Sequence, residues 1–163
     1  MFSFFTKRDR EMDAFQLRRK QTEVWKLVRR IIDVSAPNMP PTAGENRSQT
    51  RYNRAIPMLL VPWENGELLV GESVYTLSKD YSDNGVCLLP HRPFMALNVV
   101  CGFWIDGPVF LMGEVRSRAP IGGGFWQLGV QLTQVIPPGD VEALIPLAED
   151  LAPPADFDSR TND

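Results

Sequence analysis

The stretch Met95-Ala-Leu-Asn-Val-Val-Cys-Gly-Phe-Trp-Ile105-Asp106-Gly107 decides the fold. Met95, Leu97, Val99, Cys101, Phe103 and Ile105 recur at every second position, which places them on one face of a strand. Asp106-Gly107 is a strong hairpin dipeptide, so the chain turns back there. Val109, Leu111 and Val115 continue on the return strand, with Glu114, Arg116 and Arg118 on the opposite face. Gly122-Gly123-Gly124 makes the next turn. Trp126, Leu128, Val130 and Leu132 then alternate with Gln127, Gly129, Gln131 and Thr133.

Working toward the N-terminus, residues 55–62 predict a short strand flanked by Pro57 and Pro62, which suits an edge or a barrel rim. Glu64-Asn65-Gly66 is a hairpin signal, and a strand is expected over 67–78. A brief apolar run, Val86–Leu89, follows a polar turn. About six strands with short turns predict a mainly β fold, a six-stranded antiparallel barrel or a sandwich. Closure would remove exposed strand edges.

The β pattern is flanked by other structure. Residues 9–34 lack Gly and Pro and are rich in Arg, Lys, Glu, Gln and Leu, so they predict a long N-terminal helix. Leu17, Val24 and Ile31 recur every seven residues, with Lys20, Leu27 and Val34 at the offset positions. That seam fits a short coiled coil, or a helix packed on its own domain; the sequence leaves both open. Residues 35–46, SAPNMPPTAGEN, read as a Pro-rich linker. The expected organisation is a helical extension (1–34), this linker, a β domain (47–139), and a short helix with an acidic tail (140–163). Asp140 is the expected N-cap of the last helix, Val141, Leu144, Ile145 and Ala148 its apolar stripe, and Pro146 a kink.

A length of 163 residues with 44% hydrophobic content fits one globular domain with a core. Net charge is −3, but unevenly spread. Residues 1–34 carry nine Lys/Arg against five acids, and residues 140–163 carry seven acids against one Arg. A basic end can attract nucleic acid or anionic membrane. Here acids interleave with the basic residues, which fits an ordinary solvated helix face. No apolar run approaches the ~20 residues of a membrane span, and Met1–Phe5 is too short for a signal-peptide core. A cytoplasmic location is expected, with Cys87 and Cys101 as buried thiols.

Catalytic and metal signatures are sparse. His91 is the single histidine, and neither GxSxG nor HExxH occurs. The triple glycine precedes a strand rather than a helix, unlike a phosphate-cradling loop. No CxxC or Cys/His cluster suggests zinc. The chain is therefore expected to be no enzyme, and to hold no metal and no cofactor.

Two patterns remain. One is Arg47-Ser48-Gln49-Thr50-Arg51, followed by Arg54, where the linker meets the first strand. The other is Asp80-Tyr81-Ser82-Asp83-Asn84-Gly85, an Asp-x-Ser-x-x-Gly turn about thirty residues later. With the later Gly129-Val130-Gln131-Leu132, they make residues 44–136 resemble the PilZ family of cyclic di-GMP receptor domains. Many members carry a second Arg where this chain has Ser48. The resemblance implies a six-stranded barrel, often followed by a helix. It implies ligand contacts by Arg47, Arg51, Asp80, Ser82 and Gly85, and Arg54, which follows the pair closely, is expected to bind ligand with them.

The residue types suit such a ligand. The planar fork of Arg matches the O6 and N7 acceptors of guanine and stacks on the base. An ionised Asp80 can accept from guanine N1–H and N2–H, and Ser82 adds a hydroxyl. Gly85 lets backbone and ligand approach closely and permits positive φ in the turn. Ligand is expected to order the Arg segment and move the N-terminal helix, signalling through an unidentified effector protein or a homodimer formed by that helix. The alternative is a barrel of this kind that serves protein contacts without nucleotide. Nucleic-acid binding is not expected, because Trp104, Phe110, Phe125 and Trp126 have few basic neighbours.

Overall fold

A computed structural model describes residues 14–35 and 51–153. Arg47, Ser48 and most of the Pro-rich linker lie outside the described residues. Helix α1 spans Ala14–Ser35, and the strands are β1 (Tyr52–Asn53), β2 (Pro57–Glu64), β3 (Glu67–Leu68), β4 (Val74–Tyr81), β5 (Gly85–Leu88), β6 (Asn98–Trp104), β7 (Pro108–Gly122) and β8 (Phe125–Ile136). The order β4-β5-β8-β7-β6-β2 closes on itself because β2 also pairs with β4. The result is a closed six-stranded antiparallel barrel, with β1 and β3 as short additions.

The turns carry the chemistry that reverses each hairpin. Asn65 and Gly66 both hold positive φ (52° and 78°), the backbone a tight two-residue turn requires. The triple glycine is positive throughout, at 94°, 63° and 82°, a conformation residues with a Cβ rarely adopt.

Both faces of the barrel wall are covered in places, which accounts for near-continuous apolar strands. Met58, Leu60, Val99, Cys101, Phe103, Leu111 and Leu128 share an interior cluster. Leu59, Val61, Val100 and Phe110 join a second cluster with Val141, Leu144 and Ala148 from the C-terminal helical segment. That segment is a 3-10 stretch, Pro138–Leu144, kinked at Val141, followed by α2, Ile145–Glu149.

Several sequence expectations are corrected. The strand expected over 67–78 is broken by a 3-10 turn at Val70–Glu72. Asp140 makes no side-chain cap, since Pro137 stands at the cap position. Pro146 does not kink a helix but lies in the first turn of α2, where its missing N–H costs nothing. Met95 and Leu97 are not core: they are 72% and 69% exposed, while Phe94 and Ala96 are buried. Strand alternation does not reach these residues, because the strand begins only at Asn98; the segment before it is held by Arg118, which donates to the carbonyls of Phe94 (2.7 Å), Met95 (3.2 Å) and Ala96 (2.7 Å).

Helix α1 packs on its own barrel. Val24, Val28 and Ile31, spaced i, i+4, i+7, are buried in the interior cluster, and the helix contacts β8. Arg29 donates to the Tyr52 hydroxyl at 2.7 Å and lies 5.2 Å from its ring, tying α1 to β1. Trp25 remains exposed on another face. No helix among the described residues is long and apolar enough to cross a membrane.

Candidate functional site

The register of β1 builds one wall of a polar groove. Ser78 Oγ donates to the Arg54 carbonyl at 2.6 Å and accepts from the Ile56 N–H at 2.9 Å, while the Arg54 N–H donates to the Lys79 carbonyl. This clamp sets Asn53 opposite Asp80 and Tyr52 opposite Tyr81. Arg51, two residues from Asn53 and on the same side of the chain, reaches Asp80: Nη1 to Oδ1 is 3.1 Å. Asp80 is largely covered and Arg51 less so, with side-chain exposures of 10% and 40%.

The floor crosses four strands in one row. Asp80 pairs with Cys87, Cys87 with Gly129, and Gly129 with Ser117. These are small side chains, and the space is tight: a Cβ on Gly129 would collide with Ser117 Oγ. A Cβ on Gly85 would stand 2.8 Å from Ser82 Oγ. Gly85 has no positive φ, so the expected turn strain is not its reason for being glycine. It makes room beside the Ser82 hydroxyl instead. The Ser82 N–H donates to the Gly85 carbonyl at 3.0 Å, and the Leu132 N–H to the Asn84 carbonyl at 2.7 Å, which fixes the β4–β5 turn over the floor.

The groove encloses about 450 Å³. Arg51, Asp80, Ser82 and Gly85 line it together, joined by the amides of Asn84, Gln127 and Gln131. Such a lining offers carboxylate, hydroxyl, amide and guanidinium groups, suited to a polar molecule that carries both hydrogen-bond donors and acceptors. Cys87 in the floor is buried, and its thiol is pushed up to about 11, first by burial and next by the Asp80 charge. It therefore stays a neutral thiol near pH 7.

Arg54 does not line the groove. It is 5% exposed, donates to the Asn53 carbonyl at 2.7 Å and lies 5.9 Å from the Tyr52 ring. Strand alternation turns residues 52 and 54 away from the face that carries Arg51. Arg47 lies outside the described residues.

Sequence reading did not single out Arg116, Ser117 or Gln127 as site residues, yet all three line the groove. The signal available was the polar face of the last hairpin. It was scrambled by a β-bulge: Val115 pairs with Val130 and Ser117 with Gly129, leaving Arg116 as the extra residue. The bulge separates Arg116 from Arg118, which simple alternation places on one face.

A second groove, of about 530 Å³, is apolar and is lined by Tyr75, Leu77, Leu89, Ile121 and Phe125 among others. Leu77, Ile121 and Phe125 are about half exposed there.

No family model matches the chain, and no curated protein matches it. Among solved structures the chain is similar to the Bacillus subtilis inhibitor of motility MotI/DgrA, with TM-score 0.44 and 15% identity over 69% of this chain and 56% of that one. It is also similar to the K. pneumonia MrkH–c-di-GMP complex, with TM-score 0.42 and 16% identity over 67% of this chain and 52% of that one. The chain spans about half the length of the two solved chains.

Proposed function

We propose that this chain is a PilZ-like receptor that binds cyclic di-GMP in the polar groove and acts as an adaptor rather than a catalyst. The observation that carries the reading is the 3.1 Å Arg51–Asp80 pair in the same groove lining as Ser82 and Gly85. These residues come from chain segments 29 positions apart. An arginine fork beside a carboxylate is complementary to guanine, which carries acceptors O6 and N7 and donors N1–H and N2–H. Arg51 supplies the donors and Asp80 the acceptors. Ser82 reaches a phosphate or ribose oxygen, and the small floor lets a flat base lie close to the backbone.

Arg47, four residues before Arg51, joins the ligand from outside the described residues. Its engagement is the step that couples ligand to the segment leading back to α1. The output passes to an effector protein or to a second copy of the chain. Val24, Val28 and Ile31 are committed to the barrel core, so self-association through α1 uses the face that carries Trp25.

A second reading, a barrel serving protein contacts without nucleotide, is favoured by the apolar groove at Leu77, Ile121 and Phe125. Isothermal titration against cyclic di-GMP, GTP and single-stranded RNA separates the readings. Saturable heat with cyclic di-GMP alone supports the receptor. Heat with none of the three sinks it and leaves the interaction module.

A further inference from the structure

We propose that Arg116 is a second anion-binding arm of the groove, which takes a phosphodiester of the bound dinucleotide in exchange for Glu114. The inference rests on the cyclic di-GMP reading and adds a residue that its motifs do not contain.

Charge in the groove is the first argument. Among the described residues lining it, the cations are Arg51 and Arg116, and the acid is Asp80. Arg51 is paired with Asp80, so its charge is offset inside the groove. Arg116 is paired with Glu114, Nη2 to Oε2 2.8 Å, and Glu114 is not part of the lining. A ligand with two phosphodiesters brings two negative charges next to an existing carboxylate. Two phosphodiesters and Asp80 make three negative charges, and Arg51 with Arg47 meets two of them, so a further cation is needed to balance the partly desolvated assembly.

Backbone geometry is the second argument. Arg116 is the extra residue of a bulge in a long β7, and bulges re-aim the side chain they carry. The bulge lies next to Ser117, at the opposite end of the row Asp80-Cys87-Gly129-Ser117. Three strand spacings separate the ends of that row, about 14 Å. A flat dinucleotide held by Asp80 at one guanine edge runs across the glycine floor toward Arg116.

The present partner of Arg116 is also replaceable. Arg116 and Glu114 have side-chain exposures of 60% and 45%. An exposed pair of this kind is weakly held. A phosphate oxygen offers the same guanidinium an acceptor with fuller enclosure.

Calorimetric titration of the full chain with cyclic di-GMP, at low and at physiological salt, tests the proposal. Arg116→Ala is expected to weaken binding about tenfold, the value of one charge-assisted hydrogen bond. It should also flatten the dependence of affinity on salt, which a merely structural role leaves unchanged. Arg116→Lys is expected to retain most of the affinity, because a phosphate needs the charge more than the fork. Glu114→Gln is expected to tighten binding roughly twofold to fivefold by freeing the arm. Arg92→Ala, which removes a cation remote from the groove lining, should change nothing. Wild-type binding with unchanged affinity and salt dependence in Arg116→Ala overturns the role of Arg116 and leaves the receptor reading standing. Absence of wild-type binding overturns the receptor reading, and this inference with it.

Discussion

Replacing Asp80 by Asn probes base recognition with little steric change. In the free protein Asp80 holds Arg51 at 3.1 Å, with side-chain exposures of 10% and 40%. A pair this wet on one side contributes at most about 1 kcal/mol to stability. The variant should therefore melt within roughly 2–4 °C of the parent. Binding should respond far more. An ionised Asp80 is able to accept both guanine N1–H and N2–H, whereas Asn would offer one carbonyl and turn an NH2 donor toward donors. Loss of a charge-assisted hydrogen bond is worth about 1.5–3 kcal/mol, roughly tenfold to a hundredfold in affinity. Titration of parent and Asp80→Asn with cyclic di-GMP and cyclic di-AMP reads this directly. The preference for the guanine ligand should shrink together with the affinity. An affinity equal to the parent's, or a guanine preference kept intact in the variant, would refute the role assigned to Asp80.

Further predictions follow from the same contacts. Gly129→Ala raises a methyl group from the groove floor against Ser117 Oγ, so a calorimetric titration should show weakened binding while the fold survives by rotation of Ser117. Val24→Glu puts a carboxylate into the barrel core, where Val24 is fully buried, and should cost several kcal/mol, seen as a fall in melting temperature of about 10 °C or more. If Val24→Glu melts with the parent, the helix is not part of the core. Burial pushes the Cys87 thiol up to about 11 and the Cys101 thiol up to about 12, and raises Tyr81 as well. These groups bind protons more tightly folded than unfolded, so their stabilisation is complete below pH ~9 and is lost as pH rises through the folded values. Denaturant melts at pH 8 and pH 11 should show the decline, and a flat profile would contradict the burial of these groups.

The barrel was legible because turn chemistry and period-2 alternation coincide in the last hairpins. Asp106-Gly107 and Gly122-Gly124 mark reversals that β6, β7 and β8 obey. Alternation failed where other forces set the phase. Met95 and Leu97 continue the pattern in sequence, but the strand begins only at Asn98, and in the segment before it, where Arg118 ties the carbonyls of Phe94, Met95 and Ala96, Phe94 and Ala96 are the buried residues. Arg116 was hidden for a related reason: a bulge inserts one residue, and period-2 reading cannot register the insertion. The helix stripe was legible as apolar but not as to its partner, since heptad spacing and packing on a barrel share positions 24 and 31. Its third contact, Val28, fits the i, i+4, i+7 pattern of a helix lying on a domain. Sequence alone groups Arg54 with Arg51 as a ligand contact. The strand's alternation sends Arg54 to Tyr52 and Arg51 to Asp80.

The central claim is that the polar groove, and not the apolar one, is the ligand site. Amide shift mapping by NMR with cyclic di-GMP tests it most directly. The account predicts the largest shifts at Arg51, Asp80–Cys87, Arg116–Ser117 and Gln127–Gln131, with Leu77, Ile121 and Phe125 unmoved. Shifts centred on Leu77, Ile121 and Phe125, or none anywhere at saturating ligand, would contradict it.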